Sequence, residues 1–190
     1  MAMVTVSTSK SYHHGDLRAA LLEAGLQALN SAAAEDLSLR QIARDVGVSA
    51  TAVYRHFPDK AALLSALAQT GIAQMAAWQS EAAAAATPDS AFAATGRAYV
   101  RWALAHPALF KLVFGECTSV SQTVFGENAA AQMLRTYAKD LAGDEAGAQR
   151  LMIQAWAVVH GLAMLMLDGQ LPPDEDLIDR VIDARTLFRA

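Results

Sequence analysis

One four-residue turn constrains this chain more than any other feature. Asp45-Val46-Gly47-Val48 separates two short segments, and Gly47 stands where a positive φ costs least. Before the turn, Leu39, Ile42, Ala43 and Val46 recur at i, i+3, i+4 and i+7, which predicts a short helix with Ser38 as its N-cap. After it, Ser49 caps the helix ATAVYRHF, which has to stop before Pro58. Upstream, residues 14–30 predict a longer helix. Leu17, Leu21, Ala24 and Ala28 share one stripe, Asp16 sits at the acid-favouring start, and Asn30-Ser31 ends it. A support helix followed by two short ones across a glycine turn is the helix-turn-helix arrangement.

The remainder predicts helices as well. Alanine, the best helix former, fills 42 of the 190 positions, and no stretch sustains a period of two. Asp59 caps a long helix to about residue 86, broken at Thr87-Pro88. Another spans 89–105, and ALFKLVFG follows His106-Pro107. Helices over 123–141 and 144–167 are separated by Gly143. Gly169 and Pro172-Pro173 precede a last helix, 174–188, with Leu177, Val181, Ala184 and Phe188 on one stripe. VFGE occurs at 113–116 and 124–127, read as two glycine-capped helix ends. The expected fold is all-α with about nine helices: a mobile arm (1–11), a three-helix head (12–58) and a larger body (59–190). Helix 59–86 links head and body.

Charge and motifs exclude several classes. The net charge of −4 is unlike a protein that coats nucleic acid by bulk charge; residues 1–65 are neutral and the rest is acidic. A single cysteine, Cys117, permits no internal disulfide and suits a reducing cytoplasm. The N-terminus has no apolar signal core. The most membrane-like run, Leu151–Leu167, sits near the lower length limit for a span and contains Gln154 and His160; a helix buried between two protein layers explains it better. There is no GxSxG, P-loop or HExxH, and no spacing pairs Cys117 with His106 or His160. His13-His14 lack the support a metal needs. Neither an enzyme nor a metal or other cofactor is expected.

The second short helix has chemistry suited to a DNA groove. Ser49, Tyr54 and His56 supply phosphate donors, Ala50 and Thr51 are small enough to meet a thymine methyl, and Arg55 can donate to guanine or phosphate. Val48, Val53 and Phe57 point inward. A solvated helical subdomain without DNA binding is the plainer alternative.

The run SLRQIARDVGVSATAVYRHFPDKAALLSAL, with YHHGDLRAALLEAGLQAL before it, closely resembles the DNA-binding head of the TetR family of transcriptional regulators. The likeness covers roughly residues 12–67 and rests on Ala43, Gly47-Val48-Ser49, Tyr54, His56-Phe57 and Lys60. It implies phosphate contacts from Ser49, Tyr54, His56 and Lys60, base contacts from Ala50, Thr51 and Arg55, and backbone contacts from Ser38, Arg40 and Gln41. The glycines common in the family after the first helix and before the Leu-Ser-Leu run are replaced by Asn30-Ser31 and Asp36.

The same resemblance implies a homodimer formed by the last two long helices, about 144–167 and 174–188, on a palindromic double-stranded DNA operator. It also implies a cytoplasmic repressor released by a small molecule. Trp156 and His160-Gly161 are spaced as in a TetR subset with a Trp-His-Gly signature, and HPALFKLVFG is similar to that subset too. Trp156 and His160 either line a cavity or pack as a core pair. The other candidate pocket residues are Trp78, Phe92, Tyr99, Trp102, Phe110 and Phe114. Phe125, Met133, Tyr137 and Met164 complete the set, which favours an apolar or aromatic effector. A helical small-molecule binder or adaptor that does not bind DNA is the alternative function.

Overall fold

The computed structural model describes residues 17–115 and 127–183. Among them are nine α-helices, two 3-10 turns and no strand. The helices are α1 Leu17–Leu29, α2 Leu39–Val46, α3 Ala50–Tyr54, α4 Lys60–Ala85, α5 Ala91–Ala105, α6 Pro107–Phe114, α7 Ala129–Ala142, α8 Glu145–Leu167 and α9 Glu175–Val181. His13, His14, Asp16, Cys117, Phe125, Ala184 and Phe188, with the second VFGE up to Gly126, lie outside the described residues.

Local chemistry shapes the head. Gly47 has φ 78°, and the amides of Gly47 and Val48 return to the carbonyls of Arg44 and Ala43 at 3.1 and 2.9 Å, closing α2 as a Schellman motif. The Ser49 hydroxyl accepts from the Ala52 amide at 3.2 Å, and Asp59 Oδ1 accepts from Ala62 at 2.8 Å. Such caps are each worth about 1 kcal/mol. Ser38 stands at the cap position of α2, yet its side chain makes no cap bond. Leu21, Ile42, Val53 and Phe57 meet at the centre of the three helices, all fully buried.

α3 is shorter than the sequence predicts. It ends at Tyr54, and the amides of His56 and Phe57 both bond to the Val53 carbonyl at 2.9 Å. This tightened turn draws Phe57 under the helix, so the chain bends inward before Pro58 requires it.

One continuous core joins head and body through α4, whose Leu67 meets α1 at Gly25 while Ile72 and Met75 continue the same buried side into the body. α6 approaches α4 closely at Gly71, where a Cβ would lie 3.0 Å from Leu109 and Val113. α5 packs on α4 and α8, and α7 packs on α8 around a small separate cluster of Ala138, Ala148 and Met152.

Several later elements differ from expectation. Residues 88–90 form a 3-10 turn before α5. Gly115 ends α6 without a positive φ (−85°); a side chain is excluded because a Cβ would sit 2.5 Å from the Lys111 carbonyl. α7 begins at Ala129, capped by Asn128, whereas the sequence predicts a start near 123. α9 closes at Val181, short of the predicted 188, and Ile182 and Asp183 are not helical. Ile178 and Ile182 are the most deeply buried residues here, and Leu177 and Val181 pack half-buried against the same core. Polar contacts with α5 accompany that packing: Arg97 donates to the Ile182 carbonyl at 2.9 Å, and Arg101 pairs with Glu175 at 2.7 Å and Asp179 at 3.0 Å.

Candidate functional site

Among the described residues, two places bring chemistry-bearing groups together. The first is the outer face of the head. Ser49, Thr51, Tyr54, Arg55 and His56 are exposed on α3 and its closing turn, Ala50 is half-buried, and Tyr54 is 45% exposed despite its size. The fully buried Val53 and Phe57 hold the other side of the segment. A five-residue helix has no stability of its own, so this backing is what fixes the orientation of the outer residues.

Ser38, Arg40 and Gln41 are exposed at the start of α2. Gln41 is already engaged: its Nε2 donates to Asp45 at 2.7 Å and its Oε1 accepts from Arg44. The Lys60 ammonium donates to the Glu35 carbonyl, tying the start of α4 to the loop before α2. Sequence reading missed Arg18, whose guanidinium lies 5.4 Å from the Phe57 ring centroid and so sits beside the head's core. The i, i+3 and i+4 signals that placed α1 carry nothing about that contact.

The second place is a cavity of about 70 Å³ in the body, between α4, α5, α7 and α8. Of the twelve predicted pocket residues, Phe92, Tyr99, Phe114, Met133 and Trp156 line it. Trp102 and Phe110 do not; both are fully buried in the main core, where Trp102 packs near His106 and Phe110 packs against Tyr99 and Phe114. Trp78 is 40% exposed and turns its ring edge to His106. Tyr137 lies behind Phe92, and Met164 packs against the core. Helical spacing alone gives no depth, so it could not separate these groups.

Trp156 and His160 are a stacked pair, with ring centroids 4.8 Å apart and planes at 26°. Trp156 faces the cavity while His160 stands behind it. The Tyr99 hydroxyl lies 2.9 Å from His160 Nδ1. Burial pushes the Tyr99 phenol well above its ordinary pKa, opposed by a hydrogen bond from Trp156. The pair bonds in either sense: a neutral imidazole with its proton on Nε2 accepts from the phenol at Nδ1, and one with its proton on Nδ1 donates to it. Burial also lowers the His160 pKa, which keeps the imidazole neutral and able to accept. His106 is lowered for the same reason.

The wall also holds Met75, Gln79, Thr95, Gly96 and Val159, which sequence reading missed. Gln79 carried a signal: it continues the buried stripe of Ala68, Ile72 and Met75 on α4 at helical spacing. Among the described residues no group of three or more His, Cys, Asp or Glu is placed to hold a metal.

Residues 21–67 match the family described as bacterial regulatory proteins, tetR family, and residues 92–185 match the tetracyclin repressor-like C-terminal domain. A structure of a protein with unknown function from Rhodococcus sp. RHA1 is 33% identical, with a TM-score of 0.79, covering 95% of this chain and 100% of that one. A tetR-family transcriptional regulator from Streptomyces coelicolor shares the fold at 20% identity and TM-score 0.65, over 90% of this chain and 79% of that one. The TetR family repressor AlkX from Dietzia sp. strain DQ12-45-1b, implicated in biodegradation of n-alkanes, does so at 17% and 0.57, over 93% and 97%. No curated protein gives a match. With a helix-turn-helix head, a helical body and both family matches in place, the chain belongs to the TetR family of DNA-binding transcription regulators.

Proposed function

We propose that the protein is a cytoplasmic, homodimeric repressor that leaves a palindromic operator when a small apolar or aromatic molecule enters the cavity of its body. The observation that carries the DNA reading is the rigidly backed row of Ser49, Thr51, Tyr54, Arg55 and His56 on the five-residue helix α3, its cap and its closing turn. Ser49, Tyr54, His56 and Lys60 hold phosphates, Ala50, Thr51 and Arg55 reach base edges, and Ser38, Arg40 and Gln41 approach the backbone. Because these are a few placed donors, the salt dependence of binding is moderate. The head comprises residues 12–58, the arm 1–11 and the body 59–190.

Dimerisation through α8 and the chain from α9 onward is supported by the outer face of α8. α8 is long and apolar enough to cross a membrane by length and composition, yet one side packs on α5 and α7. The opposite side carries Ile153 (47% exposed), Ala157, Gly161 and Leu165 (39% exposed) in one stripe. A Cβ on Gly161 would meet nothing within 4 Å in its own protomer, which leaves room for a second helix. The Trp156–His160 stack supports membership of the Trp-His-Gly subset. Effector binding would act by favouring a separation of the two heads that no longer fits one helical turn of DNA, or a multiple of it.

The test is fluorescence anisotropy of the full-length protein on the intergenic DNA upstream of its own gene, beside a scrambled duplex and Tyr54→Ala. Tight binding to the native duplex alone, lost in the variant, supports the reading. If that duplex is not bound, selection from genomic fragments follows. Failure to recover any fragment there sinks it.

A further inference from the structure

We propose that the cavity selects a small neutral molecule with a hydroxyl hydrogen-bond donor, and that Gln79 is the residue that selects it. This rests on the effector reading above. Among the described residues no Asp, Glu, Lys, Arg or His lines the cavity, so a charged ligand meets no counter-ion from them. The polar groups of the wall are nearly all engaged with the protein itself. Thr95 donates its hydroxyl to the Phe92 carbonyl at 2.7 Å, and the Tyr99 hydroxyl bonds to His160.

Gln79 is the exception. Its Nε2 donates to the Thr95 carbonyl at 3.3 Å. Flipping the amide would set its oxygen against that carbonyl, so the bond fixes which end faces the other way. Oε1 is then left buried with no partner among the described residues. A buried carbonyl oxygen without a donor is unfavourable, and a guest that supplies one relieves it. A guest that only accepts meets a lone pair instead. At about 70 Å³ the cavity favours a small guest.

Titration calorimetry on the full-length protein with phenol, toluene and benzoate tests this. Phenol and toluene have nearly the same shape and differ in the donor. Phenol should bind roughly 10-fold tighter than toluene, and benzoate should not saturate. Gln79→Leu should bring phenol down to the toluene level while toluene stays within about 3-fold. Ala155→Leu, which fills the cavity, should weaken both. Equal affinities in the wild type, or a phenol preference that survives Gln79→Leu, would overturn the role of Gln79 and leave an apolar effector cavity standing. Loss of all binding in the wild type, or binding indifferent to Ala155→Leu, would overturn the effector cavity along with it. Thermal melts confirm folding; if Gln79→Leu does not fold, the wild-type phenol-to-toluene ratio decides alone.

Discussion

The Tyr99 hydroxyl on α5 and Nδ1 of His160 on α8 lie 2.9 Å apart, joining the two central body helices directly behind the cavity wall. Tyr99→Phe removes the phenol oxygen and leaves a half-buried imidazole nitrogen without its partner. The expected loss is about 1–2 kcal/mol in urea-induced unfolding at neutral pH. A change too small to measure would mean that water replaces the phenol at Nδ1.

The same pair gives the protein a pH dependence of known sign. Burial lowers the His160 pKa from its ordinary 6.5, so near and below that pH the unfolded chain binds a proton that the folded chain resists. Stability is therefore complete above about pH 6.5 and falls as the pH drops through that value. His106 acts in the same direction. Unfolding free energies at pH 8 and pH 5.5 should differ in this sense. The difference should shrink, without vanishing, in His160→Gln, where His106 remains.

In the head, neighbouring residues should separate stability from DNA binding. Val53 is fully buried, and Val53→Ala should cost about 1–3 kcal/mol with a matching loss of thermal stability. Tyr54 is 45% exposed, and Tyr54→Ala should change stability by no more than about 0.5 kcal/mol. Operator affinity in that variant should nevertheless fall about tenfold or more, because a phosphate donor is gone. Melting temperature and anisotropy on the same preparations check both.

Gly47→Ala tests the turn. A Cβ there meets nothing within 4 Å, so any effect comes from the φ of 78° and not from a clash. An L-residue in that conformation is expected to cost about 1 kcal/mol, seen as a lower unfolding midpoint.

Gly161→Leu should separate protomer from dimer. The side chain enters open space, and leucine favours a helix over glycine by roughly 1 kcal/mol, so helix content should hold or rise. If α8 packs against its copy, the same change drives the partners apart, and sedimentation should report monomers. A variant that stays dimeric would place the interface elsewhere.

Short-range sequence signals were enough for the all-helical fold, the three-helix head and nearly every break between helices. Those depend on short-range chemistry: Gly47 with a positive φ, Ser49 and Asp59 bonding to amides three residues on, Pro107 opening α6. Tertiary structure decided what lies deep, which way α9 turns and which aromatics reach the cavity. The deciding bonds span the chain: Gln79 to Thr95 over 16 residues, Tyr99 to His160 over 61, Arg97 to Ile182 over 85. Helical periodicity gives each helix an apolar side but not its rotation against a neighbour. Leu177 and Ile178 both reach the core, and only the packing of α9 against α5 makes Ile178 the deeper of the two. Depth has the same origin. Trp102 and Trp156 are indistinguishable as letters, and only the packing of α5, α7 and α8 makes one a core residue and the other a cavity wall.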